Sequence, residues 1–459
     1  MLGNLLAPEI QSMIAARDFA GLREVFADWP CADVAQVLAD LPVEDQVIVF
    51  RVLPQDLAGA TFAYLDSHDQ KRLLQAMGRE DIARVVNQMS PDDRTALLEE
   101  LPAPAVKELL RLLSPAELKV AQTLLGYPER SVGRLMTPDF IAVKEDWTIQ
   151  QVLDYVREHG RDSETLNVIY VIDDHGKLID DVRMREFLLK PLNTKVEAIH
   201  ERGFVALKSS DLEEQALELF RKYDRTVLPV TDSTGRLVGI VTVDDILDLA
   251  ERKATEEMHK LGGVTAFGQP YLRISLVGMA KKRAPWLVIL FLSEMLTTTA
   301  MAAFENELQR AVVLALFLPL IISSGGNSGS QATTLIIRAM AIGEVRVRDW
   351  WRVMRRELAC GLILGLVLGI IGFLRISIWS SFSTVYGPHW LLIAITVSFS
   401  LVGVVLWGTI SGSMLPFLLR TLKLDPATSS APFVATLVDV TGLIIYFSIA
   451  YLVLKGTLL

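Results

Sequence analysis

Hydrophobic positions change their spacing along the chain, and each change marks a different kind of element. Over positions 1–130 they fall at i, i+3, i+4 and i+7 in short runs such as DVAQVLADL, DIARVVNQM and AVKELLRLL, the stripe of helices that bury one face. Turn signals part these runs at one constant interval: Leu41-Pro42, Leu65-Asp66, Met89-Ser90 and Leu113-Ser114 are evenly spaced, with Asp33 and Asp81 two periods apart. The intervening copy is less regular, because Asp56 falls one residue short and Leu57 takes the expected place. A unit this short fits a helical hairpin, and stacked hairpins forming a small superhelix are predicted over positions 1–130. Such stacks bind or space other parts.

A second repeat sets in at Met136-Thr137-Pro138. DFIAVKEDWTIQQVLDYVREHG, which starts at Asp139, is matched by GFVALKSSDLEEQALELFRKYD from Gly203, and YVIDDHGKLID from Tyr170 is matched by PVTDSTGRLVG from Pro229. The second offset is the shorter, because the first copy carries extra residues near Arg161 to Thr165. Short β-rich runs (Asn167 to Ile172, Thr226 to Val230, Leu237 to Val241) alternate with amphipathic helices, so a duplicated βαββα-like α/β sandwich is predicted, one copy over 131–200 and one over 201–258. The layout resembles a tandem pair of CBS domains, which commonly regulate channels, transporters and enzymes and often bind adenine nucleotides. In GIVTVDDIL of the second copy, Thr242 and Asp245 match the positions that this resemblance places against a nucleotide's ribose and phosphate, so ATP is an expected ligand. The first copy reads DDVRMREFL, with Asp180 replacing the glycine, which argues against a nucleotide there.

PYLRISLVGMAKKR, Pro270 to Arg283, is amphipathic with a basic end and predicts a connecting helix within 259–283. Five apolar stretches follow: Pro285 to Phe304, Ala311 to Ile336, Leu358 to Trp379, Trp390 to Leu419, and Pro432 to Leu454. Each is long enough to cross hydrocarbon roughly 30 Å thick at about 1.5 Å per residue, so 284–459 is expected to be an α-helical transmembrane domain.

Charge divides at the same place. Residues 1–280 hold 31 Lys and Arg against 46 Asp and Glu, whereas 281–459 hold 14 against 8. The acidic front half excludes nucleic acid, which needs a basic surface, and points to cations. Cys31 and Cys360 are the two cysteines and lie far apart, which excludes a disulfide framework or cysteine-rich metal site and fits a reducing compartment. MLGNLLAPEIQSM lacks the basic flank and long apolar run of a secretory signal, so the acidic half is expected in the cytosol. Eleven basic residues then flank the spans on the cytosolic side against three outside (Arg310, Arg375, Lys455), which obeys the positive-inside rule. Five spans put the C-terminus outside, and they are few for a path through one chain, so a homodimer enclosing a central path is expected.

Two motifs in the spans carry candidate chemistry. LPLIISSGGNSGSQATTL places Pro319, Gly325, Gly326 and Gly329 beside Asn327 and Gln331, and reads as an interrupted helix whose freed backbone groups line water or hold hard cations. The other reading is close helix packing through small residues. APFVATLVDVTGLIIYFSIAYLVL holds one charge, Asp439, with Thr436 and Thr441 near it. A carboxylate at the centre of a membrane helix costs roughly 2.5–3.5 kcal/mol to insert, so it is expected at a wet path or a cation; a protonated Asp joining two helices is the alternative. In a two-fold dimer both copies of Asp439 would meet near the axis, where a divalent cation is the natural partner. Mg²⁺ is usually held by one or two carboxylates while keeping several waters, which suits this arrangement. Transition metals would favour His, Cys or Met, whereas these spans offer His389 near an end and a solitary Cys360. Glu294, within LVILFLSEMLTTT, either flanks the path or hydrogen-bonds to Thr297–Thr299 or another helix.

Over essentially the whole chain, the superhelix, CBS pair, connecting helix and five spans, with GGNSGSQ and PFVATLVDVTG, resemble the MgtE family of magnesium channels. The resemblance implies Asp439 as the ion-selecting carboxylate, the Ala435 carbonyl and the region from Gly325 to Asn327 lining the pore, and the Pro270–Arg283 helix as a cytosolic plug. Ala431 stands where at least some members have Asn, so a side-chain contribution there is absent. It further implies regulatory Mg²⁺ sites at Asp224, Asp245, Asp248, Glu256 and Glu257, with Asp92 and Asp93 as partners on the superhelix; Lys253 replaces an expected acid and weakens one site. Taken alone, these acids also read as a solvated charged face.

The expected function is Mg²⁺ uptake across the inner membrane by a multi-pass protein that is no enzyme, gated shut by intracellular Mg²⁺. Two alternatives stand beside it: a divalent cation exchanger coupled to Na⁺ or H⁺ through Glu294, and a membrane-anchored CBS nucleotide sensor without transport. An intramembrane enzyme is disfavoured because the spans hold no Ser/His pairing, HExxH or paired catalytic aspartates.

Overall fold

The computed structural model of the protein describes residues 2–199, 203–267, 271, 274–383 and 385–458. They form two compact units, Met1–Glu251 and Arg252–Leu459. The first begins with the helices α1 Leu2–Ala15, α2 Phe19–Ala27, α3 Cys31–Ala39, α4 Val43–Val52, α5 Gln55–Ala63, α6 Ser67–Ala76, α7 Arg79–Gln88, α8 Pro91–Glu100, α9 Ala103–Leu110 and α10 Pro115–Leu125. The period seen in the sequence is the spacing of helix starts, in two interleaved series: 31, 55, 79 and 103, then 43, 67, 91 and 115. Helices of one series pack on the next member of that series, as α3 on α5 and α5 on α7. The turn signals work as caps: Pro42 and Pro54 precede the first helical residue, while Asp66 and Ser114 accept from the backbone N–H groups of Asp69 and Glu117.

The superhelix carries a further periodic device. Gln46, Gln70 and Arg94 occupy equivalent places in successive repeats, are buried, and donate to backbone carbonyls at the end of an earlier helix: Leu38 and Leu41, Phe62 and Ala63, Val86 and Met89. Carbonyls at a helix end tend to lack an intrahelical donor; Leu38 and Phe62 also accept from the Leu41 and Leu65 N–H groups, so the side chains serve chiefly the Leu41, Ala63, Val86 and Met89 carbonyls. Around them lies an apolar core including Phe26, Leu38, Phe50, Phe62 and Leu73.

A short helix α11, Val132–Leu135, leads into the duplicated α/β region. Copy one comprises β1 Ala142–Lys144, α12 Ile149–His159, β2 Val168–Ile172, β3 Leu178–Arg183 and α13 Met184–Leu189; copy two comprises β4 Leu207–Lys208, α14 Glu213–Tyr223, β5 Val227–Thr231, β6 Leu237–Thr242 and α15 Val243–Leu261. Each copy forms a three-stranded sheet with one parallel and one antiparallel pairing, in matching register: Val143 opposes Val171 and Leu207 opposes Val230. Val168, Tyr170 and Leu178 share a core with Val227 and Ile240, so the copies are one body, as a tandem CBS pair requires.

In the second unit five helices are long and apolar enough to cross a membrane. They are α16 Leu276–Ala303, α18 Leu318–Ala341, α19 Trp350–Ser380, α20 Trp390–Thr421 and α21 Ala431–Leu454, with a short α17, Glu305–Arg310, after the first. The number and order match the sequence expectation. The connecting segment differs from it. Residues 268–270, 272 and 273 lie outside the described residues; the described part of 259–283 divides among the end of α15, a coil and the opening turns of α16, which runs without a break through Pro285 into the first span. Pro285 follows more than two turns of helix built on a Ser275 cap, yet the helix continues past it.

Candidate functional site: a membrane carboxyl pair and an acidic cluster

The second span is an uninterrupted helix, so the expected break at GGNSGSQ is corrected. Its small residues pack. Gly325 lies against Val404 and Val438, and a Cβ on Gly408 or Gly412 of α20 would enter the carbonyl oxygens of Gly325 or Gly329. Small residues four apart on both helices let the backbones touch. Ser328 and Thr333 extend the seam through bonds to the Thr409 hydroxyl, 2.6 Å, and the Gly412 carbonyl, 2.7 Å. Gly325 is therefore committed to the α18–α20 seam.

The other face of α18 is polar and open. Ser323, Asn327, Gln331 and Thr334 are exposed or half-buried, with Ser330 half-buried among them. Ser330 donates to the Ala431 carbonyl at the start of α21, 3.1 Å. One turn on, Ala435 rests on Gly326, and after another turn comes half-buried Asp439. The Asp439 carboxyl lies beside that of Glu294 on α16. Glu294 thus reaches another helix, at the residue expected to line the path. Thr436 and Thr441 serve their own helix instead, donating to the Pro432 and Leu437 carbonyls, and Thr441 also accepts from the Trp407 indole at 2.7 Å.

Near the start of α21 two further contacts converge. Lys260, at the end of α15, pairs with Asp425 at 2.7 Å, and the Trp286 indole of α16 donates to Ser430, 3.2 Å. Burial opposes charge on Asp425, but the Lys260 ammonium and the Ala427 N–H hold its carboxyl below the ordinary aspartate range.

A second acidic assembly lies within the first unit. Asp92 and Asp93 open α8; Asp244 and Asp245 open α15, with Asp248 one turn later. Carboxylates at helix N-termini meet the positive end of the macrodipole, which favours acids there in both helices. Burial, then repulsion from neighbouring carboxylates, pushes Asp93 up to about 6 and Asp245 up to about 9; Asp92 is raised for the same reasons. Asp139 and Glu164, which were not among the expected site residues, join them: burial and neighbouring acids including Asp92 raise them to about 6 and about 7. The Glu164 N–H donates to the Asp139 carbonyl at 2.8 Å. Glu164 belongs to the extra residues near 161–165 that break the repeat, and that insertion was the sequence signal for it.

Asp224 and the pair Glu256 and Glu257 are not brought to this cluster by any described contact: Asp224 is an exposed cap of α14 in a left-handed conformation, and Glu256 and Glu257 lie three turns beyond Asp245, in the part of α15 assigned to the second unit. The Thr242 hydroxyl donates to Asp245 at 3.0 Å. Arg94 acts on Asp139 but is already engaged by Glu117 and two carbonyls. Among the described residues no three His, Cys, Asp or Glu side chains converge tightly enough to enclose a bare ion. The arrangement fits a hydrated hard cation held by one or two carboxylates at a time, and repulsion among the carboxylates is what such a cation relieves.

Comparison with known proteins places this architecture. A family model described as a divalent cation transporter, MgtE, matches residues 318–449, the MgtE intracellular N domain matches 29–130, and CBS domains match 132–192 and 196–252. The magnesium transporter MgtE of Thermus thermophilus is 37% identical over 454 residues, spanning 98% of this chain and 99% of its own. That of Bacillus subtilis is 28% identical, spanning 84% and 83%. The solved cytosolic domain of an Mg²⁺ channel MgtE in complex with ATP is 32% identical, with a TM-score of 0.51 over 53% of this chain and all of that one. The soluble part of a magnesium transporter shares the fold, with a TM-score of 0.53 at 23% identity over 55% of this chain and all of that one. The chain belongs to the MgtE family of magnesium transporters.

Proposed function

We propose that the protein conducts Mg²⁺ into the cell along the two-fold axis of a homodimer, with Asp439 as the selecting carboxylate, and that Mg²⁺ on the cytosolic side closes the path. The observation that carries this reading is the alignment on α18 and α21 of an open polar stripe with Asn327, the Ala435 turn and half-buried Asp439, in a domain otherwise clad in apolar side chains. A polar stripe on a membrane helix needs water or a second copy against it. Two copies of Asp439 with backbone carbonyls suit a partly hydrated Mg²⁺. The N-terminus is cytosolic and the C-terminus outside. The membrane potential then drives the ion inward with roughly 2.3 kcal/mol per charge per 100 mV, doubled for a divalent ion.

Closure rests on the acidic cluster. Asp92, Asp93, Asp139, Glu164, Asp245 and Asp248 would hold the regulatory ion, which supplies positive charge where carboxylates repel. The ion shifts the gate only as far as it binds the closed state more tightly. Lys260–Asp425 and Trp286–Ser430 tie the end of α15 and the start of α16 to the segment before α21, giving closure a mechanical route within the second unit. ATP is proposed as a second ligand through Thr242 and Asp245; with Asp92, Asp93 and Asp244 acting on Asp245, these residues suit ribose hydroxyls, and nearby phosphates need an accompanying Mg²⁺.

In liposomes carrying a Mg²⁺-sensitive dye, Asp439→Ala is expected to abolish selective Mg²⁺ influx; undiminished influx removes Asp439 from the path. Neutralising Asp93, Asp245 and Asp248 together is expected to leave current intact and weaken inhibition by internal Mg²⁺ in patch recordings. A second reading, exchange against H⁺ through Glu294, is favoured by the Glu294–Asp439 contact. Current–voltage curves separate the two: a conducting path reverses where the Mg²⁺ gradient dictates at every pH, whereas coupled exchange shifts with the proton gradient.

A further inference from the structure

We propose that the beginning of α19 binds the headgroup of an anionic phospholipid from the surrounding bilayer. A cavity of about 580 Å³ there is lined by Arg348, Arg352, Arg355 and Arg356, with Trp351 and a single acid, Asp349. Asp349 is already occupied, accepting from the Arg346 backbone N–H at 3.1 Å, and approaches Arg352 only to 3.9 Å. Arg356 also interacts with the adjoining Glu357, which is outside the lining. Four arginines thus line one hollow with one acid among them, and the Arg352 side chain is 88% exposed.

The position of the hollow selects its occupant. Trp350 and Trp351, 48% and 57% exposed and edge-to-face at 5.4 Å, stand at the helix start, and from Leu358 onward α19 turns exposed Leu362, Ile363, Leu366 and Ile370 outward. Indole rings settle at the membrane–water boundary, so the arginines sit at headgroup depth directly above an acyl-chain surface. A guanidinium fork matches phosphate oxygens in pairs, and basic hollows beside spans on the cytosolic side are natural seats for acidic headgroups. A soluble phosphate would find the same charge but no use for the tryptophans or the apolar flank, and on that ground the lipid is preferred.

The test is electron spin resonance on the intact chain in bilayers, comparing spin-labelled phosphatidylglycerol with spin-labelled phosphatidylcholine. Several-fold selectivity for phosphatidylglycerol is expected, falling near parity in the triple variant Arg352→Gln, Arg355→Gln, Arg356→Gln and partway in Arg355→Gln alone. Arg310→Gln, a basic residue of α17, is expected to retain it. Parity in the parent, or unchanged selectivity in both the triple and single variants, overturns the proposal. Loss of selectivity on adding millimolar inorganic phosphate at constant ionic strength marks a soluble-anion site and also overturns it.

Discussion

Arg94 shows how one side chain can be read wrongly from charge alone. In an acidic superhelix an arginine suggests a surface ion pair, yet this guanidinium is wholly buried, donating to the Val86 and Met89 carbonyls and reaching Glu117. It does for its repeat what Gln46 and Gln70 do for theirs. Arg94→Ala therefore strands two carbonyls and opens a cavity. The expected loss lies at the lower end of about 3–5 kcal/mol because Glu117 keeps about a third of its side chain in water. Faster amide exchange across α7 to α10 in the intact chain would measure it, and exchange unchanged from the parent would refute the role. Gln46→Leu strands the Leu41 carbonyl without removing a charge, while Leu38 keeps the Leu41 N–H at 2.9 Å, so a smaller loss of about 1–3 kcal/mol is expected there.

Among elements, the α18–α20 seam separates two meanings of glycine. Gly408 meets the Gly325 carbonyl so closely that any side chain must push backbone against backbone, which no rotamer change can relieve. Gly408→Ala is expected to cost about 1–3 kcal/mol, seen as a lowered melting temperature in detergent. Gly403→Ala on the same helix meets only the ends of Ile445 and Ile449 and should cost less; equal melting temperatures would show that the seam does not decide stability. Sequence revealed that small residues cluster in this span, but not whether they break the helix or pack it, because the deciding fact is a partner helix far along the chain. The five spans and both repeats were legible because each is a local periodicity. The Glu294–Asp439 contact and the arrival of Asp139 and Glu164 beside Asp92 were not, since chain spacing carries no information about which distant acids share a site.

For the whole molecule, the decisive asymmetry is that acids are concentrated ahead of the spans: 46 acids precede residue 281 and 8 follow it. Carboxylates raised to about 6 at Asp93 and Asp139, about 7 at Glu164 and about 9 at Asp245 bind protons more tightly in the folded protein than in the unfolded chain. Without a cation, their contribution to stability is greatest below the ordinary carboxylate range and is lost as pH rises through those values, the reverse of a salt-bridged aspartate. A cation entering the cluster must displace the protons it replaces. Adding Mg²⁺ to the weakly buffered protein at about pH 6.5 is therefore expected to release protons, and apparent Mg²⁺ affinity should rise between about pH 6 and 8. Combining Glu164→Gln with Asp245→Asn should shrink the release while leaving any contribution from Asp439 in place. Should Mg²⁺ bind with no proton release and equal affinity at both ends of that range, the ion is held elsewhere and this cluster is only a charged face between helices.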